Sequence, residues 1–329
     1  MKAHAYWTTG PGRGEIRPLT LSPPAADEVL VRTLFSAISR GTETLVHRHQ
    51  VPETVRDLMR APFQEGDLPG PVKYGYLTAG VVEAGPAQLQ GQRVFCLHPH
   101  QTRFVVPATA VVPIPDDVPT PRALLAGAVE TAINGLWDAA PRIGDRVAVV
   151  GLGMIGASVA ALLARFPLGR LQAVDVDSGR AGLAAQLGVE LVSPDQAAGD
   201  CDVVLHCSAT EAGLATALDL AGDDAEVVEL SWYGDRAPSV PLGEAFHARR
   251  LTLRGSQVGG VSTARRARRS TTDRLTLALQ TLSDPRFDAL LSGMSDFTEL
   301  PEVIDQIAAG DRPALCHLIR YPEEEPCSV

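Results

Sequence analysis

Apolar positions come in short runs over the first third of the chain and in longer helical and strand periods beyond it. Residues 2–7, 14–21 and 28–38 carry strand patterns, separated by the turn signals Gly10-Pro11-Gly12 and Pro23-Pro24. Ser39-Arg40-Gly41-Thr42-Glu43 ends the third run, and a short helix is expected from there through His49. Residues 50–72 hold Pro52, Pro62, Gly66, Pro69, Gly70 and Pro71, and read as a long connection with one helix at Glu53–Arg60. Connections of that length in compact domains often act as lids. Tyr76 to Ala84, Arg93 to Leu97 and Arg103 to Val106 are three more expected strands.

After Pro113-Ile114-Pro115-Asp116 the pattern turns helical, from about Pro121 to Ala139, and then alternates. Strands are expected at Val147–Val150, Leu171–Asp175, 189–192, Asp202–Cys207, 225–232 and 251–256, with helices after Gly153 and at 178–187 and 210–221. Alternation of this kind specifies a parallel, doubly wound sheet. From Thr263 the chain is helical again, and Leu315–Tyr321 reads as a closing strand able to rejoin the first domain. The fold class is therefore α/β. A β-rich domain of residues 1–125 and 260–329 is expected beside a dinucleotide-type domain of residues 126–259.

The stretch Val147 to Asp175 carries the clearest chemistry. Its apolar strand feeds Gly151-Leu152-Gly153-Met154-Ile155-Gly156, a G-x-G-x-x-G turn that opens a helix with Ile155, Val159, Leu162 and Leu163 at helical spacing. Gly151 permits the tight turn, Gly153 lets backbone approach a pyrophosphate, and Gly156 lets helix and strand pack closely. Met154 and Ile155 sit inside the turn, where free N–H groups would hold the anion. Asp175 ends the second strand, where a carboxylate accepts from an adenosine ribose. A 2′-phosphate beside it would be repelled by about 4 kcal/mol per charge pair at an intermediate dielectric. NAD is favoured over NADP. Ser208 and Ser231, near the ends of later strands, are further cofactor candidates.

Charge and composition narrow the partners. A formal net charge of −10 over 329 residues argues against nucleic acid, which needs a basic footprint. The one basic cluster, Arg265, Arg266, Arg268 and Arg269, reads as a solvated helix face. There is no run of 18 or more apolar residues and no charged-then-apolar leader, so no membrane partner and a cytoplasmic location are expected. The five cysteines Cys96, Cys201, Cys207, Cys316 and Cys327 are scattered and never at C-x-x-C spacing, which fits reduced thiols. The tail Glu323-Glu324-Glu325-Pro326 is expected to be mobile.

Asp27-Glu28-Val29-Leu30-Val31, Gly75-Tyr76-Leu77-Thr78-Ala79-Gly80-Val81-Val82, Gly91-Gln92-Arg93-Val94, Ile143-Gly144-Asp145-Arg146-Val147 and Arg254-Gly255-Ser256 stand in the order seen in one superfamily. The chain resembles the medium-chain, alcohol-dehydrogenase-like dehydrogenases and reductases, and the resemblance covers nearly all of it. It implies a GroES-like β-rich catalytic domain, a Rossmann domain, and hydride transfer between NAD(H) and a small molecule bound in the interdomain cleft. Wording around Ser36-Ala37-Ile38-Ser39-Arg40-Gly41-Thr42-Glu43 is similar to the zinc-lacking branch that includes hydroxyethyl bacteriochlorophyllide dehydrogenase.

The departures from the superfamily carry as much weight. Where zinc-dependent members have a cysteine stands Ser39, and where they have Gly-His-Glu stands Gly75-Tyr76-Leu77. The span Leu125 to Val129 holds no third ligand, with Glu130 the nearest carboxylate. Catalytic zinc needs three nitrogen, thiolate or carboxylate ligands, so no metal is expected. His98 and His100, in place of the four-cysteine lobe, read as turn-capping or solvent-facing. A side chain must then handle the hydroxyl proton: Tyr76 is the candidate donor or orienting group, Ser39 or Thr42 the relay, and Lys73 a neighbour able to lower the phenol's pKa. Tyr76 equally fits as a filler of the missing zinc's space. The resemblance adds Arg40 as a pyrophosphate contact and Arg180 as a ribose contact, unless Arg180 pairs with Asp177. Glu43, Tyr74, His47, His98 and Glu130 are further polar candidates. The reading is a zinc-independent NAD-linked dehydrogenase of a secondary alcohol or its ketone. A quinone or enoyl C=C reductase and a non-catalytic NAD-binding sensor stand as alternatives. The connection 50–72 and Trp232-Tyr233 are expected to shape the substrate pocket, and a homodimer through 225–232 or 251–256 is expected from the superfamily.

Overall fold

The computed structural model describes residues 1–322, so the tail Glu323–Pro326 and Cys327 lie outside the described residues. The chain divides into two compact units, Met1–Gly127 with Leu291–Val329, and Ala128–Leu290.

The first unit opens with the antiparallel pair β1 (Lys2–Gly10) and β2 (Arg13–Thr20). β3 (Glu28–Ser39) runs straight into α1 (Arg40–His47). In place of the helix expected at Glu53–Arg60 there is one short turn of 3-10 helix at Glu53–Val55. Pro52 favours such an entry, but the apolar face that Val55, Leu58 and Met59 would give a longer helix finds nothing to dock on, and Leu58 is left exposed. The two-residue strands β4 (Glu65–Gly66) and β5 (Val72–Lys73) extend the first pair, giving the order β2-β1-β5-β4. β6 (Thr78–Ala84), β7 (Arg93–Cys96), β8 (Arg103–Pro107) and β9 (Val111–Pro113) follow. The short α2 (Thr120–Ala123) then precedes α3 (Ala126–Ala139), so the helix expected over 121–139 is broken in two.

The second unit is a six-stranded parallel sheet of β10 (Arg146–Val150), β11 (Arg170–Val174), β12 (Glu190–Val192), β13 (Cys201–His206), β14 (Ala221–Glu229) and β15 (Thr252–Gly255). Their order, β12-β11-β10-β13-β14-β15, is the doubly wound order of dinucleotide-binding sheets, with its reversal between β10 and β13. α4 (Met154–Leu163), α5 (Ala181–Leu187) and α6 (Glu211–Leu220) connect the strands. Val147, Ala148, Val149, Val204, Leu205, Val227 and Val228 are fully buried, as strands covered on both faces require. β14 is paired on both sides, so of the two strands expected at a dimer contact only the exposed β15 is an edge.

α7 (Thr271–Thr281) also belongs to this unit, and the chain returns to the first unit at Leu291, not at residue 260 as the sequence reading had it. The reason lies in two polar anchors. Arg274, almost fully buried, donates to Glu130 at 3.0 Å and to Asn134 at 2.5 Å, both on α3. Asp284 accepts from Arg165 at 2.7 Å, and Arg286 donates to the Leu187 carbonyl at 3.1 Å. Removing one partner of a buried pair such as Arg274–Glu130 leaves an uncompensated charge, which binds α7 firmly to this sheet. The segment holding Arg265 to Arg269, expected as a helix face, is a series of turns with exposed arginines.

β16 (Leu291–Asp296), α8 (Leu300–Ala309) and β17 (Cys316–Arg320) complete the first unit. β17 pairs antiparallel with β3, setting Cys316 opposite Ser39 and Ile319 opposite Ser36. Leu300, Val303, Ile304 and Ile307 of α8 form a core with Tyr6, Ile38, Phe297, Ile319 and Tyr321. At about 1.5–3 kcal/mol for each large apolar side chain buried, this face holds β17 against the end of β3. Among the described residues no helix is long and apolar enough to cross a membrane.

Candidate active site

Two constellations of functional side chains are present, one in each unit. In the second unit, Gly151 follows β10 with φ +94°, and a Cβ there would stand 2.7 Å from the Ser208 backbone. A Cβ on Gly156 would stand 1.8 Å from the Gly151 carbonyl oxygen. Both glycines are therefore required by packing. Gly153 differs: its backbone is extended, φ −77° and ψ −171°, and nothing lies within 4 Å of a Cβ there. That open backbone at the start of α4, whose first N–H groups have no partner within the helix, fits an approaching pyrophosphate. Met154 and Ile155 are half-buried in the first turn of α4.

Asp175, directly after β11, accepts from the Leu152 N–H at 2.6 Å and from the Asp177 N–H at 2.9 Å. It ties the glycine turn down, a role the sequence reading missed. A carboxylate has about four acceptor sites, so capacity for a ribose hydroxyl remains. Arg180 pairs with Asp177 at 3.2 Å, the local alternative foreseen for it. Ser208 and Ser231 lie at the carboxyl ends of β13 and β14. Ser208 Oγ is 2.6 Å from His206 Nε2, and Ser231 Oγ accepts from the Ala209 N–H at 3.0 Å. The residues fit a dinucleotide.

In the first unit, β3 delivers Ser39 and the segment before β6 delivers Tyr76, whose hydroxyl donates to Ser39 Oγ at 2.6 Å. Thr42 lies close enough to the phenol to favour its ionised form, as Ser39 does. Burial and then the Glu43 charge outweigh both and push the Tyr76 pKa up to about 12. The expected help from Lys73 is absent. Its ammonium, 3% exposed, is taken by Glu65 and by Gln101 Oε1, because β5 turns it toward β4 and away from the phenol. Arg40 opens α1 with an exposed side chain.

Beneath Ser39 is a buried polar chain that sequence reasoning did not assemble. Glu43 accepts from the Ser39 N–H at 2.7 Å and lies 2.8 Å from His100 Nε2. A carboxylate only accepts, so His100 carries hydrogen on Nε2. His100 Nδ1 is 2.7 Å from Ser36 Oγ, which is 3.0 Å from the Tyr321 hydroxyl. The signal available was the alternation in β3, which turns Ser36 inward, but the closing strand that brings Tyr321 was not traceable to it.

Neither His98 nor His100 faces solvent. His98 stacks on Phe104 at 3.9 Å, and burial followed by the Lys73 charge lowers its pKa to about 3. His47 is buried against Asp305, at 2.6 Å, and Tyr6. The positions that the resemblance matches to zinc ligands are occupied by other groups. Ser39 and Tyr76 bond each other, the buried Leu77 reaches Gly127 at the start of α3, and Glu130 is held by Arg274. Among the described residues no group of three or more His, Cys, Asp or Glu side chains could hold a metal ion. This donor set does not fit a catalytic zinc.

No protein-family model matches the chain, and no curated protein matches it in sequence. Solved structures do match in fold. L-idonate 5-dehydrogenase from Escherichia coli superposes with a TM-score of 0.80 at 16% identity, over 97% of this chain and 98% of that one. A short chain alcohol dehydrogenase from Escherichia coli CFT073, complexed with NADH, gives 0.76 at 16% identity, over 97% and 99%. 2R,3R-butanediol dehydrogenase from Bacillus subtilis gives 0.76 at 16% identity, over 98% and 100%. The chain therefore carries the fold of the medium-chain, alcohol-dehydrogenase-like oxidoreductases, a β-rich unit and a Rossmann-type parallel sheet.

Proposed function

We propose that this protein is an NAD(H)-dependent oxidoreductase that interconverts a secondary alcohol and its ketone without a catalytic zinc. The observation that carries the cofactor half is the glycine turn at the sheet's reversal point, open at Gly153 and tied to a carboxylate at the end of β11. The hydroxyl pair Tyr76–Ser39, standing where zinc-dependent relatives keep ligands, supports the zinc-independent half.

A dinucleotide held by the glycine turn and Asp175 would supply or take up the hydride. The residues of the chain manage the proton. Tyr76 gives its hydrogen to Ser39, which leaves the phenol oxygen free to accept from an alcohol. Oxidation then moves the alcohol proton to the Tyr76 oxygen as Tyr76 passes its own to Ser39 Oγ and Ser39 releases its hydroxyl hydrogen to solvent water. Reduction runs the three transfers backwards, so neither hydroxyl need ionise. The raised pKa suits a neutral donor and acceptor of this kind. Glu43 and His100 fix the end of β3 from below and so position Ser39.

Asp175 gives the test of cofactor choice. Wild-type protein titrated with NADH and NADPH is expected to bind NADH more tightly. Asp175→Asn keeps an acceptor for the Leu152 N–H but removes the charge, and narrows that preference by roughly tenfold. Unchanged discrimination, or tighter NADPH in the wild type, would remove the assignment. A screen of secondary alcohols and ketones, followed by NADH absorbance, then tests turnover.

A further inference from the structure

The second unit holds a half-buried acid that the proton chemistry above does not use. Glu229 is the last residue of β14, and its side chain is 15% exposed. Its Oε1 accepts from the Ser231 N–H at 2.7 Å. Its Oε2 lies 2.7 Å from Nδ1 of the fully buried His206 and accepts from the Tyr233 hydroxyl at 3.0 Å. A carboxylate only accepts, so His206 carries hydrogen on Nδ1, and its Nε2 faces Ser208 Oγ at 2.6 Å. Acid, imidazole and hydroxyl thus form one chain that runs through Ser208 to the Thr210 hydroxyl, 2.9 Å further on, and the Ser208 backbone abuts Gly151.

The position of this chain in the sheet gives it meaning. In the order β12-β11-β10-β13-β14-β15 the two mononucleotide halves are β10–β12 and β13–β15. Asp175 assigns the adenosine half to the first. The nicotinamide half then belongs to the carboxyl ends of β13–β15, where His206 and Glu229 end their strands. The oxidised nicotinamide ring is a cation and the reduced ring is neutral. A fixed anion on that side distinguishes them by charge alone.

We propose that Glu229 biases the bound cofactor toward its oxidised form, an inference that rests on the dinucleotide reading above. Burial raises the Glu229 pKa, but the hydrogen bond from His206 and the Ser231 contacts outweigh it, and the carboxyl is held below its ordinary range. The anion is therefore present at neutral pH. Of the other ionisable neighbours, the Tyr233 and Cys207 pKa values are pushed up by burial and by Glu229 itself, so both stay uncharged. Arg236 stacks on Tyr233 at 5.8 Å, but it is exposed and screened by solvent.

Calorimetric titration of the full chain with NAD+ and with NADH tests this without any substrate. Glu229→Gln is expected to raise the ratio of the NAD+ to the NADH dissociation constant about tenfold. For a two-electron couple that ratio is equivalent to raising the potential of the bound cofactor by about 30 mV. Glu229→Asp, which keeps the charge, is expected to hold the wild-type ratio. Tyr233→Phe removes a donor from the carboxylate and is expected to tilt the ratio about twofold further toward NAD+; it serves where Glu229→Gln fails to fold. An unchanged ratio in Glu229→Gln, an equal weakening of both dinucleotides, or a tilt toward NADH in Tyr233→Phe overturns the proposal while leaving dinucleotide binding intact. Wild-type protein that binds neither dinucleotide overturns the reading beneath it.

Discussion

Gly153→Val is expected to abolish NADH binding, by about a hundredfold or more in affinity, while costing no more than about 1 kcal/mol of stability, the loss of a glycine at the N-cap of α4. Its backbone is in an extended conformation open to any L-residue, and nothing within 4 Å would meet the new Cβ. Removing a glycine at such a site even lowers the entropy of the unfolded chain. The loss therefore comes only from what must approach the turn from outside, the pyrophosphate. Gly156→Val makes the opposite case. Its Cβ would stand 1.8 Å from the Gly151 carbonyl oxygen, so α4 must move off the turn, at about 2–4 kcal/mol of stability. Binding and thermal unfolding measured together separate the two variants. Gly153→Val that binds NADH normally would mean that the turn is a structural loop.

Tyr76→Phe is expected to lower turnover by about a hundredfold with little change in KM, the range lost when a positioned proton-transfer group is removed. The ring stays, so its edge-on packing with Tyr74 at 6.1 Å persists. Ser39→Ala is expected to fall in the same direction, because it removes the acceptor of the phenol hydrogen. A pH profile adds a check: with the phenol at about 12, no step from Tyr76 ionisation is expected in the neutral range. Turnover unchanged in Tyr76→Phe would reduce the tyrosine to a filler of space. The substrate for this comparison comes from the alcohol and ketone screen.

The reach of the sequence was set by how local each signal is. The glycine turn and Asp175 are legible because strand, turn, helix and acid fall within 29 residues whose spacing the backbone imposes. The parallel sheet followed from the alternation of elements, and the structure has it in the doubly wound order. The return to the first unit was misplaced, because the apolar face of α7 does not declare which sheet it covers. That choice is made by Arg274 meeting Glu130, 144 residues away. The helix expected at Glu53–Arg60 has Val55, Leu58 and Met59 at helical spacing, but Leu58 stays exposed with nothing to dock against, and the helix did not form beyond one turn. At the candidate site, Tyr76 and Ser39 could be paired from the superfamily pattern, whereas Lys73 was assigned by nearness in sequence. Strand geometry sends it to Glu65 and Gln101. The chain Glu43–His100–Ser36–Tyr321 was invisible for the plainest reason: its members are separated by up to 285 residues and no spacing rule links them.

The central claim is an NAD(H) enzyme whose proton chemistry belongs to a tyrosine and a serine and not to zinc. The most direct measurement is a titration of the full chain with NADH and NADPH, made on protein expressed with zinc in the medium, with zinc per chain measured before and after chelation. One NADH per chain bound more tightly than NADPH, with no stoichiometric zinc at either stage, is the result predicted. A zinc ion retained on every chain, or a preference for NADPH, would contradict it.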